Sequence, residues 1–117
     1  MLAITPNTKA FICSQFIDFR KGIDGLQGVC RKIIRQDPFS GTIFIFFNKR
    51  RTSIRFLFYD GQGFWLCTKR LSKGKFQWFP EDNNGAGMQI RSCDLQALIW
   101  NGHPEKANFS KDWREVS

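Results

Sequence analysis

The chain has one histidine, four cysteines and no apolar run of the roughly 20 residues needed to cross a bilayer. His103 stands beside a proline and has no obvious partner for a Ser-His-Asp or Cys-His catalytic set. Cys13, Cys30, Cys67 and Cys93 are too far apart for a CxxC metal knuckle. We therefore expect no metal, no other cofactor, no disulfide and no membrane partner. The thiols are expected to be buried as small apolar side chains.

The remaining composition is that of one globular domain. The chain has 117 residues, of which 42% are hydrophobic and 15% aromatic, far more aromatic residues than disordered chains carry. Its first residues show neither a charged leader nor a long apolar run, so we expect no signal peptide and a cytoplasmic location. We predict one domain over residues 1–103. The polar tail, residues 104–117, is expected to be only partly ordered.

Charge is the strongest compositional signal. Eighteen basic residues against ten acidic ones give a formal net charge of +8, which favours an anionic partner. A merely soluble basic surface would have the same composition, so the clustering of the charges has to decide between the two interpretations.

Two helices are predicted. An amphipathic stretch from about Phe19 to Gln36 follows Asp18, a plausible N-cap, and Pro38 and Gly41 end it. Its apolar positions share one face, and its outer face is basic. A shorter helix is expected to have Ser92 as its N-cap and Asp94 in its first turn, and to be stopped by Gly102 and Pro104.

The segment between the helices is predicted to be a β-meander, with strands at about 42–48, 53–59, 63–70 and 75–79. Asp60-Gly61-Gln62-Gly63 is a strong hairpin signal. The first of these strands is apolar on both faces, so it should be a central strand covered on both sides. With a short strand at 9–13, the fold class is α+β. We expect a mostly antiparallel sheet of about five strands, in the order β-α-β-β-β-β-α, packed by one long and one short helix.

The first and third turns of a meander lie at the same end of the sheet. Here both turns are basic, and they carry Lys49, Arg50, Arg51, Arg70, Lys73 and Lys75. We interpret this end as a surface for the DNA backbone, with little sequence preference. Six phosphate contacts would give a log–log salt slope of roughly −5. Arg20, Arg31 and Arg35, on the outer face of the first helix, form a second candidate surface.

Two alternatives stay open. In the first, the protein is an adaptor whose basic end docks on another protein, and an exposed apolar patch around Trp65, Trp78 or Trp113 would favour it. In the second, it is a metal-dependent nuclease, which requires converging carboxylates. The available acids, Asp18, Asp24, Asp37 and Asp60, each have a simpler explanation as a cap, an exposed helix residue or a turn residue.

Three ordered motifs resemble a known family. They are Arg20-Lys21-Gly22-Ile23-Asp24-Gly25-Leu26, then Asp37-Pro38-Phe39-Ser40-Gly41, then Asp60-Gly61-Gln62-Gly63-Phe64-Trp65-Leu66-Cys67-Thr68-Lys69-Arg70-Leu71. At this spacing they are similar to the TnpB-type, Orf2-like accessory proteins of the bacterial insertion-sequence family numbered sixty-six. The resemblance covers roughly residues 5–102. It implies a non-catalytic role in transposition, with the transposase and other proteins of the same element as partners, and it supplies no catalytic residues.

Overall fold

A computed structural model describes residues 8–78 and 87–100. Its strands are β1 (Ala10–Ile12), β2 (Ile43–Phe47), β3 (Ser53–Tyr59), β4 (Phe64–Arg70) and β5 (Met88–Ile90). Its helices are α1 (Ile23–Val29), which a π-helical turn (Cys30–Ile34) continues, and α2 (Ser92–Ile99). The five strands form one sheet in the spatial order β4-β3-β2-β1-β5. The mixed α+β class and the number of strands were therefore predicted correctly.

The sheet is not a simple meander. Strands β2, β3 and β4 are consecutive antiparallel neighbours, as predicted, but β1 runs parallel to β2. This pair is parallel because α1 and its π-helical turn return the chain to the end of the sheet where β1 began. Strand β5 then adds antiparallel to β1 at the far edge.

Strand β2 lies at the centre of the sheet, and all five of its residues are buried. Phe44 and Phe46 pack on the face covered by α1, among side chains such as Leu26 and Leu57. Phe47, with its isoleucine neighbours, packs on the opposite face beneath α2. The prediction of a central strand covered on both faces is confirmed, and the core consists of two layers separated by the sheet.

The first helix is shorter than predicted. It begins at Ile23, and its N-cap is Gly22 and not Asp18. Asp18 instead accepts hydrogen bonds from the backbone N–H and side chain of Arg20 in a turn that precedes the helix. The predicted apolar face is correct, since Leu26, Val29, Cys30 and Ile34 are buried.

The predicted strand at 75–79 is wrong for its described residues. Residues 75–78 form no strand; the Phe76 side chain is buried, with its ring 5.9 Å from that of Phe47. The fifth strand is Met88–Ile90, which was too short to show a pattern. The prediction that Ser92 caps the second helix is wrong: Ser92 is the first helical residue, Arg91 is the N-cap, and Asp94 lies in the first turn, where its side chain accepts the backbone N–H of Arg91. The predicted stop at Gly102 and Pro104, and the tail, lie outside the described residues.

The four cysteines differ in environment. Cys13 and Cys30 are buried as expected, Cys67 is half-buried, and Cys93 is exposed, so the expectation of burial is wrong for Cys93. Burial raises the pKa of the Cys30 thiol to about 12, which keeps it protonated and unreactive at neutral pH. No helix in the described part of the chain is long and apolar enough to span a bilayer.

Candidate nucleic-acid interface

The first basic turn connects β2 to β3 and is organised by Asn48. The Asn48 side-chain oxygen accepts the backbone N–H groups of Thr52 (2.9 Å) and Ser53 (3.1 Å). Arg51 adopts a left-handed backbone conformation, with φ of 57°, and its N–H donates to the Asn48 carbonyl. These bonds within the turn leave the side chains of Lys49 and Arg50 exposed.

The second basic turn follows β4 and is hydrogen-bonded to the first. The N–H of Leu71 donates to the Thr52 carbonyl (2.9 Å), and the N–H of Phe76 donates to the Arg51 carbonyl (2.8 Å). The two turns thus lie at one end of the sheet, where the meander topology predicted them. We call this region the basic end; it carries Lys49, Arg50, Arg51, Arg70, Lys73 and Lys75.

The loop between β1 and α1 brings a further cation to the basic end. The N–H of Cys13 donates to the Ile45 carbonyl and that of Ile17 to the Phe47 carbonyl, each at 2.9 Å, so the loop follows β2 to its end. The loop residues Asp18 and Arg20 and the turn residues Lys49 and Arg50 line a shared open cleft. Arg20 is therefore a neighbour of the first basic turn and does not lie on the helix, contrary to prediction.

Arg20 is held in an ion pair within that cleft. Its Nη2 lies 2.6 Å and its Nε 3.0 Å from Oδ2 of Asp18. These hydrogen bonds from Arg20 lower the pKa of Asp18 to about 2, so the carboxylate is charged at any pH near neutrality. The pair lies at the surface and leaves Arg20 partly neutralised.

Arg31 and Arg35, the other members of the second candidate surface, lie elsewhere. The Arg31 guanidinium is 5.9 Å from the ring centre of Phe39. That ring in turn contacts Tyr59 (4.9 Å between centroids) and Phe64 (5.0 Å), which flank the hairpin at the opposite end of the sheet. Arg35 ends the π-helical turn. The structure thus separates Arg20 from Arg31 and does not bring the three arginines together.

The half-buried Arg55, which was not predicted as a site residue, holds the loop in place. Its Nη1 donates to the carbonyls of Phe19 (2.6 Å) and Lys21 (3.2 Å), and its Nε donates to Oγ1 of Thr68 (3.0 Å). Its guanidinium also lies 4.5 Å from the centre of the Phe19 ring. The sequence signal that could have indicated this role is the position of Arg55, a charged residue within a mainly apolar strand. These contacts fix the loop carrying Arg20 against β3 and β4.

We predict that Arg55→Met lowers the free energy of unfolding by about 2 kcal/mol, because it removes charge-assisted hydrogen bonds and a cation–π contact. Urea unfolding of the wild type and the variant would measure this difference in free energy. The matched control is Arg91→Met, which breaks the surface ion pair with Asp94 and should change the free energy of unfolding far less, because exposed ion pairs contribute little. Equal losses in the two variants would show that Arg55 does not hold the loop.

The hairpin between β3 and β4 is built on Asp60. Its carboxylate accepts the N–H groups of Gln62 (2.8 Å) and Gly63 (2.9 Å) and the indole N–H of Trp65 (2.7 Å). These bonds lower the pKa of Asp60. Gly61 takes a φ of +100°, which favours glycine. The hairpin prediction is confirmed, and the carboxylate of Asp60 is engaged in the turn.

The other acids are also apart from one another. Asp18 pairs with Arg20, Asp24 is exposed in the first turn of α1, and Asp37 accepts the N–H of Phe39 (2.9 Å). Within residues 8–78 and 87–100, no three histidine, cysteine or carboxylate side chains lie close enough to hold a metal ion. The described acids therefore do not form the cluster that the nuclease alternative requires.

The model of the family described as IS66 Orf2-like protein matches residues 8–108. The chain belongs to this family. Two similar proteins come from Sinorhizobium fredii (strain NBRC 101917 / NGR234), and both are described only as uncharacterized. The protein y4jC is 36% identical over 86 residues, which cover 74% of this chain and 73% of y4jC. The protein y4hO is 31% identical over 110 residues, covering 91% and 93% respectively. No solved structure matches the chain.

In this IS66 Orf2-like protein, two of the three sequence motifs are in contact with each other. The first spans the loop that Arg55 holds and the start of α1. The second and third meet at the hairpin end, through the contact between Phe39 and Phe64. Within the third, Lys69 donates to the Ile99 carbonyl and lies 5.6 Å from the centre of the Trp100 ring, so it contacts the C-terminal end of α2. Lys69 therefore belongs to the packing of α2, whereas Arg70 lies at the basic end.

Proposed function

We propose that this IS66 Orf2-like protein is a non-catalytic accessory protein of insertion-sequence transposition that contacts the DNA backbone through its basic end. The observation that carries the proposal is the hydrogen-bonded pair of basic turns, which concentrates six cationic side chains at one end of the sheet. Such a cluster neutralises phosphates without reading bases. The protein would act in the cytoplasm beside the transposase and the other proteins of the same element.

The direct test is the binding of the purified protein to a labelled element-end duplex and to a scrambled duplex across a salt series. Backbone contact predicts equal affinity for both duplexes and a log–log slope of roughly −5. A clear preference for the element end would contradict backbone binding without sequence preference. Absence of binding at low salt would reject the DNA proposal altogether.

The ion pair between Asp18 and Arg20 offers a gain-of-binding prediction. Asp18→Asn removes a negative charge beside the first basic turn and releases Arg20 to act as a further phosphate contact. We expect the affinity for duplex DNA to rise several-fold at low salt and the slope to steepen by about one unit.

The control is Asp37→Asn, which changes the net charge equally in the turn that contacts the hairpin end and preserves a side-chain acceptor for the Phe39 N–H. An equal gain in DNA affinity in both variants would show that the effect comes from net charge. In that case the prediction that Arg20 contacts a phosphate in the variant would be rejected.

A protein–protein adaptor is the second candidate, and one observation favours it. Phe39 and Trp65, on either side of the hairpin between β3 and β4, are each 46% exposed, and aromatic rings are enriched where proteins contact one another. Trp78, by contrast, is half-buried against the core, and Trp113 lies outside the described residues. Capture of the transposase by a protein that binds no DNA at low salt would favour this candidate over the first.

A further inference from the structure

The cleft at the basic end combines cations with an exposed aromatic ring. One wall is the loop between β1 and α1, which contributes Phe16, Asp18 and Arg20, and the other is the first basic turn, which contributes Lys49 and Arg50. The two walls have fixed relative positions, because the N–H of Ile17 donates to the carbonyl of Phe47. The cleft therefore exists before any ligand is bound.

Within the described part of the chain, two aromatic rings line the cleft, and they differ in exposure. Phe19 is half-buried, packs against the core beneath α1 and lies under the guanidinium of Arg55. Phe16 is 44% exposed. Of the two rings, Phe16 thus presents the greater surface to a ligand in the cleft.

The charges around Phe16 fit a ligand that carries both phosphates and an accessible ring. Lys49 and Arg50 are exposed, and the carboxylate of Asp18 is neutralised by Arg20. Double-stranded DNA offers phosphates, but its base faces are stacked within the helix. Single-stranded DNA offers both, and proteins bind it by combining a basic groove with aromatic rings on which bases stack.

We propose that this cleft binds single-stranded DNA, with a base stacked on Phe16 and the flanking phosphates on Lys49 and Arg50. The inference rests on the proposed function and deepens it, because it names the form of DNA that the basic end prefers.

The test compares a single-stranded oligonucleotide with a blunt duplex of the same sequence, at one salt concentration, for the wild-type protein and Phe16→Leu. Leucine keeps an apolar side chain but cannot stack as an aromatic ring does. We expect Phe16→Leu to lower the affinity for the single strand by about tenfold and the affinity for the duplex by less than about twofold. The control is Phe39→Leu, a similarly exposed ring that contacts the hairpin residues, which should change neither affinity.

A second readout is the fluorescence of a single-stranded oligonucleotide carrying 2-aminopurine, which stacking quenches. Binding to the wild-type protein should quench it, and binding to Phe16→Leu should quench it less. Equal single-strand affinity and equal quenching in the two proteins would overturn the inference while leaving duplex binding, and hence the proposed function, intact. If neither form of DNA binds to the protein, the proposed function is rejected, and the inference that rests on it is rejected too.

Discussion

Reversing the charges of Lys49 and Arg50 to glutamate is expected to lower the affinity for duplex DNA by roughly 10- to 100-fold at about 0.1 M salt. Both side chains are exposed on a turn whose backbone is fixed by Asn48, so the fold should tolerate the change. The variant loses two phosphate contacts, and the salt slope should become shallower by about two units. Fluorescence anisotropy with a labelled duplex across a salt series would measure both quantities.

The matched control for this reversal is Lys9→Glu with Lys32→Glu. Lys9 is exposed at the opposite end of the sheet, where its carbonyl accepts the N–H of Ile43, and Lys32 is exposed on the π-helical turn. Each double variant lowers the formal net charge of +8 by four, so long-range attraction falls equally in both. The control should lose less than about threefold in affinity and keep the wild-type slope. Equal losses would show that DNA responds to net charge and not to the basic end.

The second large effect concerns the core. Phe46 and Phe47 are consecutive, fully buried residues of β2, and they point to opposite faces of the sheet. We expect Phe46→Ala and Phe47→Ala each to lower the free energy of unfolding by about 3–5 kcal/mol. Small domains have only about 5–15 kcal/mol in total, so either variant should lose a large share of its stability. Urea or thermal unfolding followed by circular dichroism would measure the losses.

Comparing the losses in free energy of unfolding for these two variants tests whether β2 is covered on both faces. A strand covered on one face would show a large loss at one position and a small loss at its neighbour. Phe16→Ala provides the reference for an exposed ring and should lose less than about half as much. A small loss at Phe46 or Phe47 would contradict the description of β2 as covered by α1 on one face and α2 on the other.

Local patterns were sufficient to predict the central part of the fold. The strand at 53–59 was predicted with the bounds that the structure shows, because a run of β-forming residues stands there between the basic turn and the Asp60 hairpin. The five consecutive apolar residues of β2 indicated burial on both faces. The Asp60 hairpin followed from residue types that stabilise the turn by their own hydrogen bonds.

Long-range contacts determine what the sequence did not reveal. The first helix begins late because Arg55, over 30 residues away, binds the carbonyls of Phe19 and Lys21. Gly22 and Gly25 also weaken helix formation there. The parallel pairing of β1 with β2 depends on how the helix returns the chain across the sheet. The same pairing places Arg20 beside Lys49, so their shared cleft could not be predicted from helical periodicity.

The most direct test of the account is to replace Arg50, and separately Lys32, with a photo-crosslinking amino acid such as p-benzoylphenylalanine. Each protein would be irradiated in the presence of both the transposase and element-end DNA. Contact between the basic end and DNA predicts a covalent adduct with DNA at position 50 and little or none at position 32. An adduct with the transposase alone at position 50, or equal DNA adducts at both positions, would contradict it.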